Sequence, residues 1–246
     1  MTEQVLAGKT AFVSGSGRNI GRAIAVQLAK MGCNVAINGA SNRGACEEAA
    51  RLVEAEGVKS AVVIGDMGKR SDLDRIADEA LQHFGRIDIL VNNAAIRPHK
   101  PFLDLSDDDW NSVVDTGLTS AFLMSRAFLP GMVEGGWGRI ISMAGMKAIK
   151  GYFEGAPISA SKHGIVGLTR ALSQEFGPKG ITANAVSPGQ TRVDGKDGKD
   201  PKRIGTIPVG SLGEPEEIAA VVAFLASPAA RFVNGQMIGV NGGEAT

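Results

Sequence analysis

The chain has 246 residues, with 26 Lys and Arg against 26 Asp and Glu, so its formal net charge is zero. This length suits one large domain with its own hydrophobic core, and the neutral charge predicts neither nucleic acid nor an acidic membrane surface as a partner. No apolar run approaches the roughly 18 residues that cross a bilayer, and the first residues lack the apolar segment of a signal peptide. The two cysteines, Cys33 and Cys46, lack the spacing of a disulfide framework or a metal site. We therefore expect a cytoplasmic protein without a metal.

Short β-type runs alternate with longer helical patterns from the beginning of the chain. In the first helical stretch, Ile20, Ile24, Leu28 and Met31 recur at the spacing of one helix face. Small residues and glycines separate the runs, as expected where strands turn into helices. The first half predicts strands at 10–14, 35–37, 61–64 and 87–91, and helices at 20–31, 45–56 and 71–84.

The second half continues this alternation. A long helix is predicted at 106–132, because its first residues, Ser-Asp-Asp-Asp, suit the positive end of a helix dipole. Strict alternation predicts one α/β domain over residues 1–246, with a Rossmann-like, doubly wound sheet of seven parallel strands. The polar stretch 189–207 is interpreted as a loop within that domain. The remaining strands are predicted at 139–143, 181–186 and 237–240, and the remaining helices at 157–176 and 214–226.

A glycine-rich turn, Ser-Gly-Ser-Gly-Arg-Asn-Ile-Gly at 14–21, joins the first predicted strand to the first helix. It departs from the dinucleotide-binding pattern G-x-G-x-x-G, because Ile20 stands at the third glycine position. Gly15 and Gly21 nevertheless lie where the strand ends and the helix begins, and such a turn directs backbone N–H groups toward a phosphate. Asn19 tolerates a left-handed backbone better than most residues. The turn therefore predicts a nucleotide-binding loop, with an ordinary glycine-rich turn as the alternative.

Five motifs then occur in a recognisable order over most of the chain. They are the loop with Gly15, Asn19 and Gly21, Asn-Asn-Ala-Ala at 92–95, Pro188-Gly189, Gly-Glu-Pro-Glu-Glu-Ile at 213–218, and Val-Asn-Gly-Gly at 240–243. By these motifs the chain resembles a short-chain dehydrogenase/reductase of the classical type over essentially its whole length. The resemblance implies a Rossmann-like fold, a nicotinamide cofactor and an oxidoreductase activity on a small-molecule substrate.

The resemblance also implies which residues border the cofactor. An NAD site carries a carboxylate at the end of the second strand, whereas this chain has Asn-Gly-Ala-Ser-Asn-Arg at 38–43. Arg18 in the glycine loop and Arg43 after the strand suit the 2′-phosphate of NADP(H), unless both are solvated surface charges. We therefore expect NADP(H) rather than NAD(H). The expected cofactor-binding residues are Gly15, Gly17, Arg18, Asn19, Ile20, Gly21, Arg43, Asp66, Met67, Asn92, Ala94, Lys162, Pro188 and Gly189.

The catalytic residues of the family are mostly absent from this chain. The family's chemistry needs a Tyr-x-x-x-Lys pair on one helix face; Lys162 is present, but Ile158 stands at the tyrosine position. The family's serine corresponds to Gly145 and its asparagine to Gly117. The resemblance thus implies that three catalytic positions are replaced. We expect these three residues to form an apolar floor that enlarges the pocket.

Tyr152, the single tyrosine of the chain, is a candidate for a displaced proton donor. It lies ten residues before Lys162, and ten residues turn a helix by roughly 1000°, so the two cannot share a helix face. From the loop after the fifth strand, Tyr152 or Glu154 can still reach the pocket, and a buried glutamate can be tuned to act as an acid. Packing within the loop, or exposure to solvent, is the alternative interpretation for both.

Three functions remain open from the sequence. The first is a divergent NADP(H)-dependent oxidoreductase acting on a carbonyl, alcohol or activated C=C without the usual tyrosine. The second is a non-catalytic NADP(H)-binding protein, either a subunit of a hetero-oligomer with a competent relative or a nucleotide sensor. The third is a lyase or hydrolase-type enzyme on the same fold.

Two further expectations concern the loop at 189–207 and the assembly. The loop carries both Asp and Lys residues, and it is interpreted as a polar lid over the substrate or else as a solvated loop. The family resemblance implies a homotetramer, built on the helix that starts at Ser106, the helix of Lys162 and the last strand.

Overall fold

A parallel sheet of seven strands forms the centre of the computed structural model, which describes residues 4–193 and 204–245. The strands are β1 (Thr10–Val13), β2 (Asn34–Gly39), β3 (Ser60–Ile64), β4 (Ile89–Asn92), β5 (Gly138–Met143), β6 (Ile181–Pro188) and β7 (Met237–Val240). Their order is β3-β2-β1-β4-β5-β6-β7, with every neighbouring pair parallel. The order reverses between β1 and β4, where a doubly wound sheet opens a crevice at the carboxyl ends of its strands.

Helices cover both faces of this sheet. They are α1 (Asn19–Lys30), α2 (Arg43–Glu54), α3 (Arg70–Phe84), α4 (Asp107–Val114), α5 (Ser120–Glu134), α6 (Ala156–Phe176) and α7 (Pro215–Ala226). Side chains determine where two of them begin. The Asn42 side chain accepts from the Ala45 N–H at the start of α2, and Ser106 and Asp109 form a capping box at α4. No helix within the described ranges is long and apolar enough to cross a membrane.

The hydrophobic core has one layer on each face of the sheet, because successive strand residues point to opposite sides. On β1, Val13 belongs to the layer that α1, α2 and α7 cover, whereas its neighbour Phe12 belongs to the layer beneath α3 and α5. The Phe12 ring centroid lies 5.4 Å from that of Phe128 in α5. A shift of one residue along β1 would exchange the two layers, so the packing sets the register.

The predicted sheet and helices are confirmed, except within the helix predicted at 106–132. That helix is divided into α4 and α5 by a π-helical turn, Asp115–Thr119. In and after the turn, the Thr116 hydroxyl donates to the Ser112 carbonyl at 2.8 Å, and the Ser120 hydroxyl donates to the Thr116 carbonyl at 2.7 Å. Such bonds from side chain to backbone compete with the regular helix ladder, which the hydrophobic periodicity alone does not reveal.

Part of the polar loop predicted at 189–207 lies outside the described residues, which stop at 193 and resume at 204. Within the described part, the Thr191 hydroxyl donates to the Gly189 carbonyl at 3.1 Å, and Ile207 is buried. The interpretation of this loop as a lid stays a prediction.

Candidate active site

The glycine-rich loop between β1 and α1 has the backbone predicted for it. Gly15 has a φ of +62° and Asn19 a φ of +49°, both in the left-handed region that most residues avoid. The Gly15 N–H donates to Oδ1 of Asn38 at 3.2 Å. The Asn38 side chain donates in turn to the carbonyls of Val63 and Gly65, each at 3.1 Å. The loop is therefore held in place from the β2 and β3 side of the sheet.

At two other glycines of the loop, a side chain would be crowded. A Cβ on Gly21 would lie 2.7 Å from Nδ2 of Asn93 and 2.9 Å from Cα of Ser16. A Cβ on Gly17 would lie 3.1 Å from Sγ of the buried Cys46. Only backbone fits at Gly21, and a Cβ at Gly17 would require the Cys46 side chain to shift, so close-packed backbone forms a cradle at the N-terminus of α1. This cradle fits the phosphates of a dinucleotide.

The end of β4 holds the loop from the other side. The Ser14 hydroxyl accepts from the backbone N–H groups of Asn93 and Ala94, at 2.9 and 3.0 Å. The Asn93 side chain donates to the carbonyls of Ser14 and Gly15, at 2.9 and 3.1 Å. Ala94 belongs to the predicted set, whereas Asn93 and its role are missing from it. The motif Asn-Asn-Ala-Ala at 92–95, at the end of a strand, could have indicated Asn93 as well as Ala94.

Other predicted cofactor residues follow strands at the same edge of the sheet. Asn92 is buried at the end of β4, and its Nδ2 donates to Oγ of Ser142 on β5 at 3.2 Å. After β3, the Asp66 carboxylate accepts from the Gly68 N–H at 2.9 Å, and Met67 is buried. These contacts stabilise the strand ends that surround the crevice.

The two arginines predicted to read the cofactor phosphate are exposed. Arg18 lies within the glycine loop and Arg43 in the first turn of α2. The Arg43 side chain is 63% exposed and reaches its own helix neighbour Glu47 only at 4.0 Å. At the end of β6, the Gly189 N–H donates to the Val240 carbonyl at 3.0 Å, which places the predicted Pro-Gly turn beside β7.

Lys162 on α6 is 6% exposed, and its Nζ donates to the carbonyl of Met143 at 2.6 Å. Met143 is the last residue of β5, so the lysine lies at the carboxyl edge of the sheet. Burial, and secondly the positive charge of Arg97, lower the pKa of Lys162 to about 7. An amine with this pKa can both give and take a proton near neutral pH. Arg97, in the loop after β4, is missing from the predicted site residues.

The residues at the three replaced positions differ in their surroundings. Ile158 lies one turn before Lys162 on α6 and is 1% exposed. Gly145 has a φ of +84°, and a Cβ there would meet nothing within 4 Å. Gly117 differs, because Oγ of Ser161 occupies the place where its Cβ would stand. The prediction of an enlarged apolar floor is therefore wrong at Gly117, since a serine hydroxyl fills that space.

Tyr152 and Glu154 belong to the loop between β5 and α6. Tyr152 is 42% exposed, and its ring centroid lies 4.9 Å from that of His99 in the loop after β4. Glu154 has a φ of +54°, and its carbonyl accepts from the Lys100 N–H at 2.9 Å. A role in proton transfer for Tyr152 or Glu154 stays a prediction. Within residues 4–193 and 204–245, no group of His, Cys, Asp and Glu is arranged to hold a metal ion.

Comparison with known proteins shows similarity along almost the whole chain. A family model described as enoyl-(acyl carrier protein) reductase matches residues 15–244. The chain is 39% identical to the 3-oxoacyl-[acyl-carrier-protein] reductase FabG of Pseudomonas aeruginosa over 242 residues, which cover 97% of this chain and 98% of that protein. It is 37% identical to FabG of Aquifex aeolicus over 243 residues, with the same coverage of each chain.

Solved structures show the same similarity in three dimensions. A crystal structure from Beutenbergia cavernae, provisionally named an NAD(P)-dependent gluconate 5-dehydrogenase and containing NADP at low occupancy, has a TM-score of 0.90 and 36% identity, with 97% of each chain covered. A provisionally named gluconate dehydrogenase from Agrobacterium tumefaciens has a TM-score of 0.91 and 33% identity, covering 99% of this chain and 98% of that one.

Proposed function

The chain belongs to the short-chain dehydrogenase/reductase family, and from that membership we propose that it is an NADP(H)-dependent oxidoreductase that works without the family's usual tyrosine. Its proposed substrate is a carbonyl, an alcohol or an activated C=C compound. The observation that carries this proposal is Lys162, buried at the carboxyl edge of the sheet with a pKa of about 7. The curated relatives are reductases by name, and one solved neighbour contains NADP, which supports it.

Lys162 is the group that we assign to proton transfer. NADPH, when bound, would supply the hydride that the carbonyl carbon of the substrate accepts. As the carbon accepts it, the carbonyl π electrons pass to the oxygen, which takes the proton of the Lys162 ammonium and becomes an alcohol. The neutral amine then regains a proton from solvent. The neighbouring Ile158 has no proton to give, which favours substrates that need little acid catalysis, such as enones or activated carbonyls.

Arg18 and Arg43 are proposed to bind the 2′-phosphate and so to favour NADP(H) over NAD(H). A charge-assisted hydrogen bond contributes roughly 1.5–3 kcal/mol, so Arg18→Gln and Arg43→Gln should each weaken NADPH binding about tenfold or more. NADH binding should change by less than about twofold. Calorimetric titration with both cofactors measures this. The control is Arg51→Gln, because Arg51 lies farther along α2 and pairs with Glu48; equal losses for both cofactors would contradict the assignment.

We also propose a homotetramer formed through α4, α5, α6 and β7. Trp110 on α4 is 40% exposed and Phe122 on α5 is 45% exposed, and β7 is a partly exposed strand at the edge of the sheet. Exposed apolar side chains on neighbouring elements are typical of surfaces that bind another protein. Light scattering of the purified chain should give about four times the mass of one chain.

A non-catalytic NADP(H)-binding subunit or sensor is the second candidate. Ile158 and Gly145 favour it, because neither residue offers a proton donor at its position. A lyase or hydrolase-type enzyme on the same fold is the third, and it requires neither hydride transfer nor the cofactor as reactant.

Cofactor binding and turnover distinguish the three candidates. We expect NADPH to bind, and the protein to oxidise it with some member of a panel of ketones, diketones and enones. Lys162→Ala should lower this turnover by roughly 10²–10⁴-fold. His163→Ala is the matched control, since His163 is exposed and its Nδ1 lies 2.9 Å from the Ser159 carbonyl. Binding without turnover favours the non-catalytic protein, and absence of binding leaves only the third candidate.

A further inference from the structure

Two loops meet at the mouth of the cleft, one after β4 and one between β5 and α6. The Lys100 N–H donates to the Glu154 carbonyl at 2.9 Å, and the rings of His99 and Tyr152 lie 4.9 Å apart between centroids. Arg97 belongs to the first of these loops, two residues before His99, and it is exposed. The joined loops therefore bring Arg97 to the mouth of the cleft, accessible from solvent.

Lys162 lies at the same edge of the sheet as this loop, because its Nζ donates to the carbonyl of Met143, the last residue of β5, and the loop with Arg97 follows β4. The positive charge of Arg97 adds to burial in lowering the pKa of Lys162. The pKa of Arg97 itself is lowered by the protein around its guanidinium, and the Tyr152 phenol opposes that shift. Arg97, Lys162 and Tyr152 therefore interact electrostatically. Arg97 and the protonated form of Lys162 are both cations.

Among the described residues, no carboxylate pairs with either of these two side chains. In the described part of the chain, neither Arg97 nor Lys162 forms an ion pair with an Asp or Glu. Lys100, in the same loop as Arg97, differs because it pairs with Asp109. Like charges repel more strongly where protein replaces water, so the cleft favours an anion that lies near both.

Building on the proposed function, we propose that Arg97 anchors an anionic group of the substrate beside the oxygen that Lys162 protonates. The site would then take oxo acids, hydroxy acids or phosphorylated carbonyl compounds in preference to neutral ketones. A guanidinium binds a carboxylate or a phosphate through two parallel hydrogen bonds, which both holds and orients the substrate. Near Lys162, the anion would also favour the protonated amine that reduction requires.

A pair of substrates that differ in one charge tests this anchor in turnover. Acetoacetate carries a carboxylate, and methyl acetoacetate is its neutral ester. We expect Arg97→Gln to lower kcat/KM for acetoacetate about tenfold or more, chiefly through KM, and to change that for the ester less than about twofold. Arg97→Lys should retain part of the preference, since it keeps the charge but loses the planar fork. Equal losses for acid and ester would overturn the proposal.

Direct binding of a small dianion provides a test that does not depend on turnover. Malonate titrated into the protein by calorimetry should bind, and Arg97→Gln should raise its Kd about tenfold or more. Lys100→Gln is the matched control from the same loop, expected to change the Kd less than about twofold. Inorganic phosphate, titrated in parallel, shows which of the two anions the site prefers. Absence of malonate binding, or binding that ignores Arg97, would overturn the anchor.

The two experiments also separate this inference from the proposed function. If malonate binding depends on Arg97 but no substrate is reduced, the anion site is supported and the proposed reductase activity is refuted. Reduction of the acid and the ester with equal efficiency, unaffected by Arg97→Gln, would keep the reductase and refute the anion site. Thermal unfolding of each variant checks that the fold is intact, which we expect because Arg97 is exposed.

Discussion

The first half of the fold, from β1 to α3, and the second half, from β4 onward, differ in how completely their buried polar side chains are hydrogen-bonded. In the described residues from β1 to α3, no fully buried side-chain nitrogen or oxygen lacks a hydrogen-bond partner. In the described residues from 89 onward, six such atoms lack one. Four of them lie in β4, α6 and β6, namely Oδ1 of Asn92 and the hydroxyls of Ser159, Ser161 and Ser187.

The difference distinguishes the well-bonded surroundings of the glycine loop from the less completely bonded surroundings of Lys162. Around the glycine loop, the side chains of Ser14, Asn38 and Asn93 all bond to backbone groups, so the loop is held in place before any ligand binds. A buried polar group without a partner costs roughly 1–3 kcal/mol. Such groups persist where water or a ligand completes their bonds, which is what we propose for the half that contains Lys162.

Charged groups at the two ends of the strands show the same contrast. At the amino end, the buried Asp88 lies 2.8 Å from Arg86 and 3.7 Å from Lys9, and it accepts from the Thr10 N–H at 3.0 Å. At the carboxyl end, Lys162 has a carbonyl partner but no acid among the residues that the structure describes. A paired charge stabilises the fold, whereas an uncompensated one raises the affinity for an anion.

Gly21→Ala should have the largest effect, because it disrupts the close packing of the glycine-rich loop in the first half of the fold. Its Cβ would overlap the Gly15 carbonyl and lie 2.9 Å from Cα of Ser16, and backbone atoms cannot move aside as a flexible side chain can. We expect NADPH binding to weaken about 100-fold or more and the free energy of unfolding to fall by about 1–3 kcal/mol. Gly167→Ala on α6 is the control, since its Cβ meets nothing within 4 Å. Unchanged cofactor affinity in Gly21→Ala would refute the role of the loop.

Lys162→Met tests, in the second half of the fold, whether the pKa of the buried lysine is lowered. The measurement is the pH dependence of the free energy of unfolding. The pKa of Lys162 is about 7 in the folded chain and 10.5 as the ordinary value. Between these values the unfolded chain holds a proton that the folded chain lacks, so stability rises with pH by up to about 1.4 kcal/mol per unit. Below about pH 7 both states are protonated and Lys162 contributes no slope. We expect Lys162→Met to remove this rise.

Urea unfolding at about pH 6, 8 and 10 measures the slope. Lys179→Met, at an exposed lysine, is the control and should keep the slope of the parent protein. A parallel pair of stability curves for the parent and Lys162→Met would show that the lysine keeps its ordinary pKa, and the assignment of Lys162 as proton donor would lose its support.

Two buried serines, one in each half of the fold, allow a direct comparison of a bonded hydroxyl with an unbonded one. We expect the smallest of the effects on stability here. The Ser16 hydroxyl donates to the Val13 carbonyl at 2.7 Å and accepts from the Asn38 N–H at 3.0 Å. The Ser161 hydroxyl has no partner among the described residues. Ser16→Ala should cost about 1–3 kcal/mol of unfolding free energy, and Ser161→Ala less than about 0.5 kcal/mol. Chemical denaturation measures both; equal costs would mean that an ordered water completes Ser161.

Most of the fold was predictable from the sequence, because its signals are local. Apolar periodicity and glycine positions predicted the sheet and its flanking helices, and the family motifs predicted Lys162 at the cleft. The π-helical turn at Asp115–Thr119 was not predictable from periodicity, since it depends on hydroxyl bonds to the helix backbone. The sequence also did not show that a Cβ would have free space at Gly145 but not at Gly117. Both depend on neighbours that are distant in the sequence.

By itself, the sequence determined the fold class, the family and the position of the glycine-rich loop, because these follow from residue spacing along the chain. Only the tertiary structure showed that Asn93 and Asn38 hold that loop. It also showed that Lys162 is buried with its Nζ on the carbonyl of Met143 and with no acid paired to it among the described residues. The physical reason is that desolvation and electrostatic interactions depend on distances between segments far apart in the chain, which no local pattern specifies.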